Sequence, residues 1–250
     1  MPTNYLLLGN PGTGKSTLIN CLIGKPVFKA GIFYGGGLTS FFQKHEHDGK
    51  VYMDTLGLAD RKLMRQAAEA ITEALRQSGT YKIFFMVRLE NGRVVADDLS
   101  TIETVISCIN LDEVPFTIII NNVKKRQFRA MMDKGDEFKK VVTLVNAGKY
   151  TTPQIVFIPT IPELDEEDNA ITALPDHVAH FILREAKSVV IKAESVRKVE
   201  TAEFEKVVKE LRDKLELQQR DNDALRQRND SVGEETSLLG HVRVKGSYGP

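Results

Sequence analysis

One stretch constrains this chain more than any other: Gly9-Asn10-Pro11-Gly12-Thr13-Gly14-Lys15-Ser16-Thr17. It lies between a short apolar run, Tyr5 to Leu8, and an apolar helical pattern, Leu18 to Ile23. The spacing is that of a phosphate-binding loop, G-x-x-x-x-G-K-[ST], in the strand–loop–helix context such a loop requires. Glycine reaches backbone angles closed to other residues, so successive amide N–H groups can turn inward around a phosphate. The following helix adds its positive end and its unpaired N–H groups. Asn10, Pro11, Gly12, Thr13, Gly14, Lys15, Ser16 and Thr17 are therefore the expected nucleotide-binding residues. Lys15 would reach the β- and γ-phosphates, and the Ser16 hydroxyl would bind Mg²⁺.

Downstream, Gly35-Gly36-Gly37 reads as a glycine-rich loop closed by Thr39. Two strands, Ser40 to His45 and Lys50 to Met53, flank a polar turn and form an expected hairpin. The second strand runs into Asp54-Thr55-Leu56-Gly57. After a phosphate loop, an Asp at a strand end can hold Mg²⁺ through water, and the Gly57 N–H can bond the γ-phosphate. Ser16, Thr39 and Asp54 are the expected metal residues; Lys15, Thr39 and Gly57 are the expected catalytic ones. Thr39 and Gly57 would close on the γ-phosphate and release after hydrolysis.

Apolar runs at 82–87, 116–120 and 155–158 alternate with helical patterns at 61–77, 93–110 and 128–147. This alternation predicts an α/β fold with a mostly parallel sheet, helices on both faces and ligands at the carboxyl ends of the strands. Asp54, Asn121 and Thr160 all fall at such ends. Residues 1–172 form the expected P-loop domain, 173–232 a helical extension and 233–250 a disordered tail. In the extension, Thr201, Val208, Leu215, Asn222 and Asn229 take one heptad position and Phe204, Leu211, Gln218 and Leu225 the other. The seam allows a coiled-coil dimer or a single helix lying back on the domain.

Charge and cysteines narrow the function classes. Lysine plus arginine equals aspartate plus glutamate, 34 each, so no basic excess points to nucleic acid. Cys21 and Cys108 read as buried hydrophobes in a reducing compartment. No apolar run is long enough to span a bilayer, and Pro2 at the second position argues against myristoylation. A cytoplasmic protein without a transmembrane segment is expected.

The segments GNPGTGKST, GGGLTSFF, YMDTLGLAD and YKIFFMVRLENGRVVADDLSTIETVI resemble the AIG-type G domains, the immunity-associated, septin-like branch of the translation-factor-related P-loop GTPases. The resemblance covers roughly residues 4 to 160. It implies a six-stranded GTP-binding fold with one antiparallel strand, GTP/GDP and Mg²⁺ as cofactors, and nucleotide-dependent dimerisation through the nucleotide face. It also carries Gly9 into the phosphate-binding set and assigns Thr39 to the first switch and Asp54 with Gly57 to the second.

Two departures stand out. The guanine-reading motif, Asn or Thr, Lys, any residue, Asp, is replaced by Asn121-Asn122-Val123-Lys124, and lysine cannot accept the hydrogen bonds of guanine N1 and N2. Asn121 would bond the base or tie the phosphate loop. Leu58 stands where Ras-like proteins carry the glutamine that orients water, so intrinsic hydrolysis should be slow unless a partner supplies a group. Arg61, Arg88 and Arg93 are candidates, each also readable as a plain surface charge. The expected function is slow GTP hydrolysis with nucleotide-dependent self-association and an unknown effector. The alternatives are a nucleotide-gated assembly module with negligible turnover and an ATP-binding P-loop protein.

Overall fold

The computed structural model describes residues 2–29, 42–90 and 92–242, with side chains to residue 221. Strand β1 (Thr3–Leu8) is the centre of the sheet. It pairs in parallel with β3 (Lys50–Thr55) on one side and β4 (Gly79–Val87) on the other. Beyond β4 come β7 (Thr117–Val123) and β8 (Ile155–Pro159), also parallel, while β2 (Phe42–His47) closes the opposite edge antiparallel to β3. The order β2-β3-β1-β4-β7-β8 holds the six expected strands. Tyr5, Leu6, Leu7 and Leu8 are all buried, as a strand covered on both faces requires.

Local chemistry explains the element ends. Asp48 and Gly49 both take positive φ, 48° and 67°, the conformation of a two-residue hairpin turn whose twist suits the flanking strands. Helix α1 (Lys15–Ile23) ends at Gly24, whose left-handed backbone lets its N–H reach the Asn20 carbonyl at 2.8 Å. Helix α2 (Met64–Leu75) and helix α3 (Ala96–Ser107) cover one face, with Ala67, Ile71, Leu99, Ile102 and Val105 in the core. Tyr5, Leu7, Leu18, Ile19 and Phe84 form a second apolar cluster on the other face.

Several expectations are corrected. The helix expected over 128–147 is two, α4 (Lys125–Met132) and α5 (Asp136–Val145). They break at Lys134, with φ 52°, and Gly135. The helix expected from Arg93 starts at Ala96, because Leu89–Glu90 (β5) and Arg93–Val94 (β6) pair as a small ribbon.

The extension is not helical throughout. Helix α6 (Asp176–His180) runs into a π-turn, Phe181–Glu185. Val189–Ile191 is then a strand, β9, antiparallel to Gly79–Tyr81 of β4, making the sheet seven-stranded. Three β-branched residues in a row favour that pleat over a helix.

Helix α7 spans Thr201–Val242, passing Gly233, where the sequence reading stopped it. Its first turns lie on α2 and α3. Phe204 and Leu211 are buried in the core cluster, and Val208 and Leu215 pack against it. At these positions the heptad seam is covered by the chain's own domain. Among the described residues, no helix is long and apolar enough to cross a membrane.

Candidate functional site

The phosphate loop joins the carboxyl end of β1 to α1. Gly9, Gly12 and Gly14 take φ values of 153°, 78° and 90°, a region that side chains strongly disfavour. At Gly14 an added Cβ would also strike the Asn121 amide nitrogen. The Lys15 ammonium folds over the loop, donating to the Gly9 carbonyl at 2.9 Å and the Asn10 carbonyl at 3.4 Å. Burial lowers the Lys15 pKa, against the opposing pull of Asp54 and Asp98.

Ser16, at the start of α1, donates its hydroxyl to Asp54 Oδ2 at 2.5 Å. Asp54 Oδ1 is buried and has no hydrogen-bond partner. Burial raises the Asp54 pKa, while Lys15 and the Ser16 hydroxyl pull it down. A serine hydroxyl beside a carboxylate with an unused oxygen is a donor set that suits Mg²⁺, which takes hard oxygens and keeps several positions for water or phosphate. Among the described residues no three His, Cys, Asp or Glu side chains converge.

Gly57 lies against the loop. A Cβ there would stand 2.5 Å from Asn10 Cα and 2.7 Å from both the Gly9 carbonyl oxygen and Pro11 Cδ. Only glycine permits that approach. The next residue, Leu58, is fully buried.

Asn10 turns its side chain into the protein interior and is fully buried. Its amide nitrogen donates to Asp98 Oδ1 at 2.8 Å, and its amide oxygen accepts from the Ala59 N–H at 3.0 Å and the Thr101 hydroxyl at 3.3 Å. Asp98 in turn accepts from the Arg88 backbone N–H (2.9 Å), Nε (3.1 Å) and terminal nitrogen (3.1 Å). Thus the phosphate loop, the segment after Gly57, α3 and Arg88 share one buried network. Sequence reasoning did not find it, because Asp98 reads there as an ordinary acid in a first helical turn.

A cleft of about 340 Å³ opens above the loop. Gly12, Thr13, Gly14 and Thr17 line it together with Arg88, Glu90, Asn121 and Asn122. Leu89, Pro159, Ile161, Leu164 and Asp165 complete the lining. Asn121 donates to the Thr13 carbonyl at 3.1 Å, so it ties the phosphate loop as well as lining the cleft. Arg88 is half-buried and held by Asp98; Arg61 and Arg93 are exposed. Thr39 lies outside the described residues, and its assigned role with it. A larger hollow of about 900 Å³ lies between α7 and the β5–β6 ribbon, away from the phosphate loop.

Residues 4–122 match the model of the 50S ribosome-binding GTPase family. The fold is that of a P-loop GTPase. Among solved structures, this chain is similar to Toc33 from Arabidopsis thaliana in complex with GDP and Mg²⁺, at 19% identity and a TM-score of 0.48, over 77% of this chain and 88% of that one. It is also similar to NFeoB from S. thermophilus bound to GDP.AlF4⁻ and K⁺, at 14% identity and a TM-score of 0.45, over 79% and 65%. For Era from Aquifex aeolicus bound to GDP.AlF4⁻ the values are 20%, 0.44, 66% and 55%. No curated protein sequence matches the chain.

Proposed function

We propose that this chain binds GTP and GDP with Mg²⁺ and hydrolyses GTP slowly, as an AIG-type G domain that self-associates through its nucleotide face. The observation that carries the reading is the Ser16–Asp54 pair beside Lys15, with one Asp54 oxygen buried and unpartnered. In this reading the loop amides and Lys15 hold the β- and γ-phosphates, and Ser16 and Asp54 hold the ion. When bound, Mg²⁺ neutralises charge developing on the bridging phosphate oxygens. The Gly57 N–H would bond the γ-phosphate, and Thr39, assigned to the first switch, would act on the same group.

Slow turnover follows from Leu58. A fully buried hydrocarbon side chain cannot orient a nucleophilic water. Arg88 is committed to Asp98; of the three candidate arginines this leaves Arg61 and Arg93, both exposed, for a second copy. The chain works, in this proposal, in the cytoplasm with two free thiols, and its effector binds one nucleotide state.

A second reading is favoured by the same leucine. Bound GTP would gate assembly while hydrolysis stays negligible. Turnover per molecule, measured across protein concentrations with GTP and with ATP, separates the two. A rate that rises with concentration supports catalysis completed by a second copy; a flat, near-zero rate with tight GTP binding supports the gate. Preferential binding of ATP would replace both with an adenine-nucleotide protein.

A further inference from the structure

The cleft lacks the acceptor that normally reads guanine, yet it contains another. Lys124 is exposed at the start of α4 and does not line the cleft. The Asn121 amide nitrogen is occupied by the Thr13 carbonyl. Two carboxylates do line the cleft, Glu90 and Asp165. Glu90 sits 3.6 Å from the Arg88 guanidinium, an ion pair that engages its charge. Asp165 has no such partner among the ion pairs of the described residues.

The backbone fixes where Asp165 stands. The Thr160 N–H bonds the Val123 carbonyl at 2.9 Å, which ties the end of β8 to the end of β7. A single 3₁₀ turn, Pro162–Leu164, follows, with the Leu164 N–H on the Ile161 carbonyl (3.1 Å) and the Asp165 N–H on the Pro162 carbonyl (3.0 Å). That turn presents Ile161 and Leu164, two apolar side chains suited to the face of a purine, and then a carboxylate at its end. Of the acidic run Asp165-Glu166-Glu167-Asp168, only Asp165 lines the cleft.

We propose that Asp165 is the base-reading residue of this site, its carboxylate accepting the N1 and N2 hydrogens of guanine in place of the acceptor missing from 121–124. The proposal rests on the cleft being a nucleotide site. Adenine offers no hydrogen at N1 and no amino group at C2, so the same carboxylate would be left without partners and would repel the N1 lone pair. A site built on such bonds discriminates strongly against the analogue that lacks them.

The test compares Mg²⁺ complexes of GTP, ATP and xanthosine triphosphate by calorimetry on the full chain and on Asp165→Asn, Asp165→Glu and Glu90→Gln. The wild type should prefer GTP over ATP by about 100-fold or more. Asp165→Asn should bring that ratio to within about tenfold, keep ATP affinity, and strengthen xanthosine triphosphate binding by about tenfold or more. The new amide N–H can donate to xanthine O2, which a carboxylate cannot. Asp165→Glu should retain a preference for GTP. An unchanged ratio in Asp165→Asn, equal weakening of all three nucleotides, or collapse of the ratio in Glu90→Gln instead would overturn the assignment. So would a wild type that binds GTP and ATP equally. A wild type that binds none of the three refutes the nucleotide site itself, a separate failure.

Discussion

Asn10 and Asp98 are 88 positions apart in the chain and meet at 2.8 Å inside the protein. Each spends its polar atoms on the other's surroundings: Asn10 on Ala59 and Thr101, Asp98 on three nitrogens of Arg88. A buried group stripped of its partner costs about 1–3 kcal/mol, and more when charged. Asn10→Ala removes one member and strands the Ala59 N–H and part of Asp98. Chemical denaturation should show a loss of about 2–4 kcal/mol on those figures. A loss below about 0.5 kcal/mol, the level of an ordinary surface change, would show that water replaces the network.

Gly57→Ala forces a methyl group to within 2.5 Å of Asn10 Cα. Backbone cannot move aside as a flexible side chain does, so either the phosphate loop or the strand exit shifts. Destabilisation of about 1–3 kcal/mol, typical of overpacking, is expected together with weaker triphosphate binding and diphosphate binding less affected. Equal loss for both nucleotides would contradict a role at the γ-phosphate.

Ser16→Ala removes a hydroxyl from the proposed ion site and leaves the Asp54 carboxylate without its 2.5 Å donor. Nucleotide affinity measured against Mg²⁺ concentration should lose most of its Mg²⁺ dependence, while the affinity in chelator stays within about threefold, a difference under 1 kcal/mol. A Mg²⁺ response identical to the wild type would remove Ser16 from the site.

The C-terminal helix is bound to the domain through Phe204 and Leu211, both buried. Phe204→Ala should cost about 3–5 kcal/mol if the site cannot collapse. Differential scanning would register this as a lowered transition. An unchanged transition would mean that α7 is held by its exposed pairs, such as Arg212 with Asp97 at 3.5 Å, which carry little.

Much of the fold was legible because its cues are local. Nearly continuous apolar runs placed the central strands, period-3.6 patterns placed α1 to α3, and the polar turn Glu46-His47-Asp48-Gly49 announced the hairpin. The miscounted helix over 128–147 shows the limit: its apolar spacing continues across Lys134, whose positive φ breaks it. Val189–Ile191 looked helical because nothing in the chain says that β4 has a free edge at Gly79–Tyr81 to receive it. The site divides in the same way. Lys15, Ser16, Asp54 and Gly57 stand in contiguous motifs and were readable. The bonds of Arg88 to Asp98 and the place of Asp165 beside the phosphate loop join segments far apart in the chain, and no local pattern announces them. Asn10 was placed correctly in the loop, but its side chain faces the core.

The account depends on the glycine loop being a phosphate cradle completed by Lys15. Calorimetric titration of the full chain with Mg²⁺–GTP, beside Lys15→Ala, tests that most directly. One-to-one binding in the wild type, weakened by at least about 100-fold in the variant, is the predicted result; this is the loss of about 2.7 kcal/mol expected of a buried charge-assisted contact. No heat with the wild type, or undiminished affinity in Lys15→Ala, would contradict it.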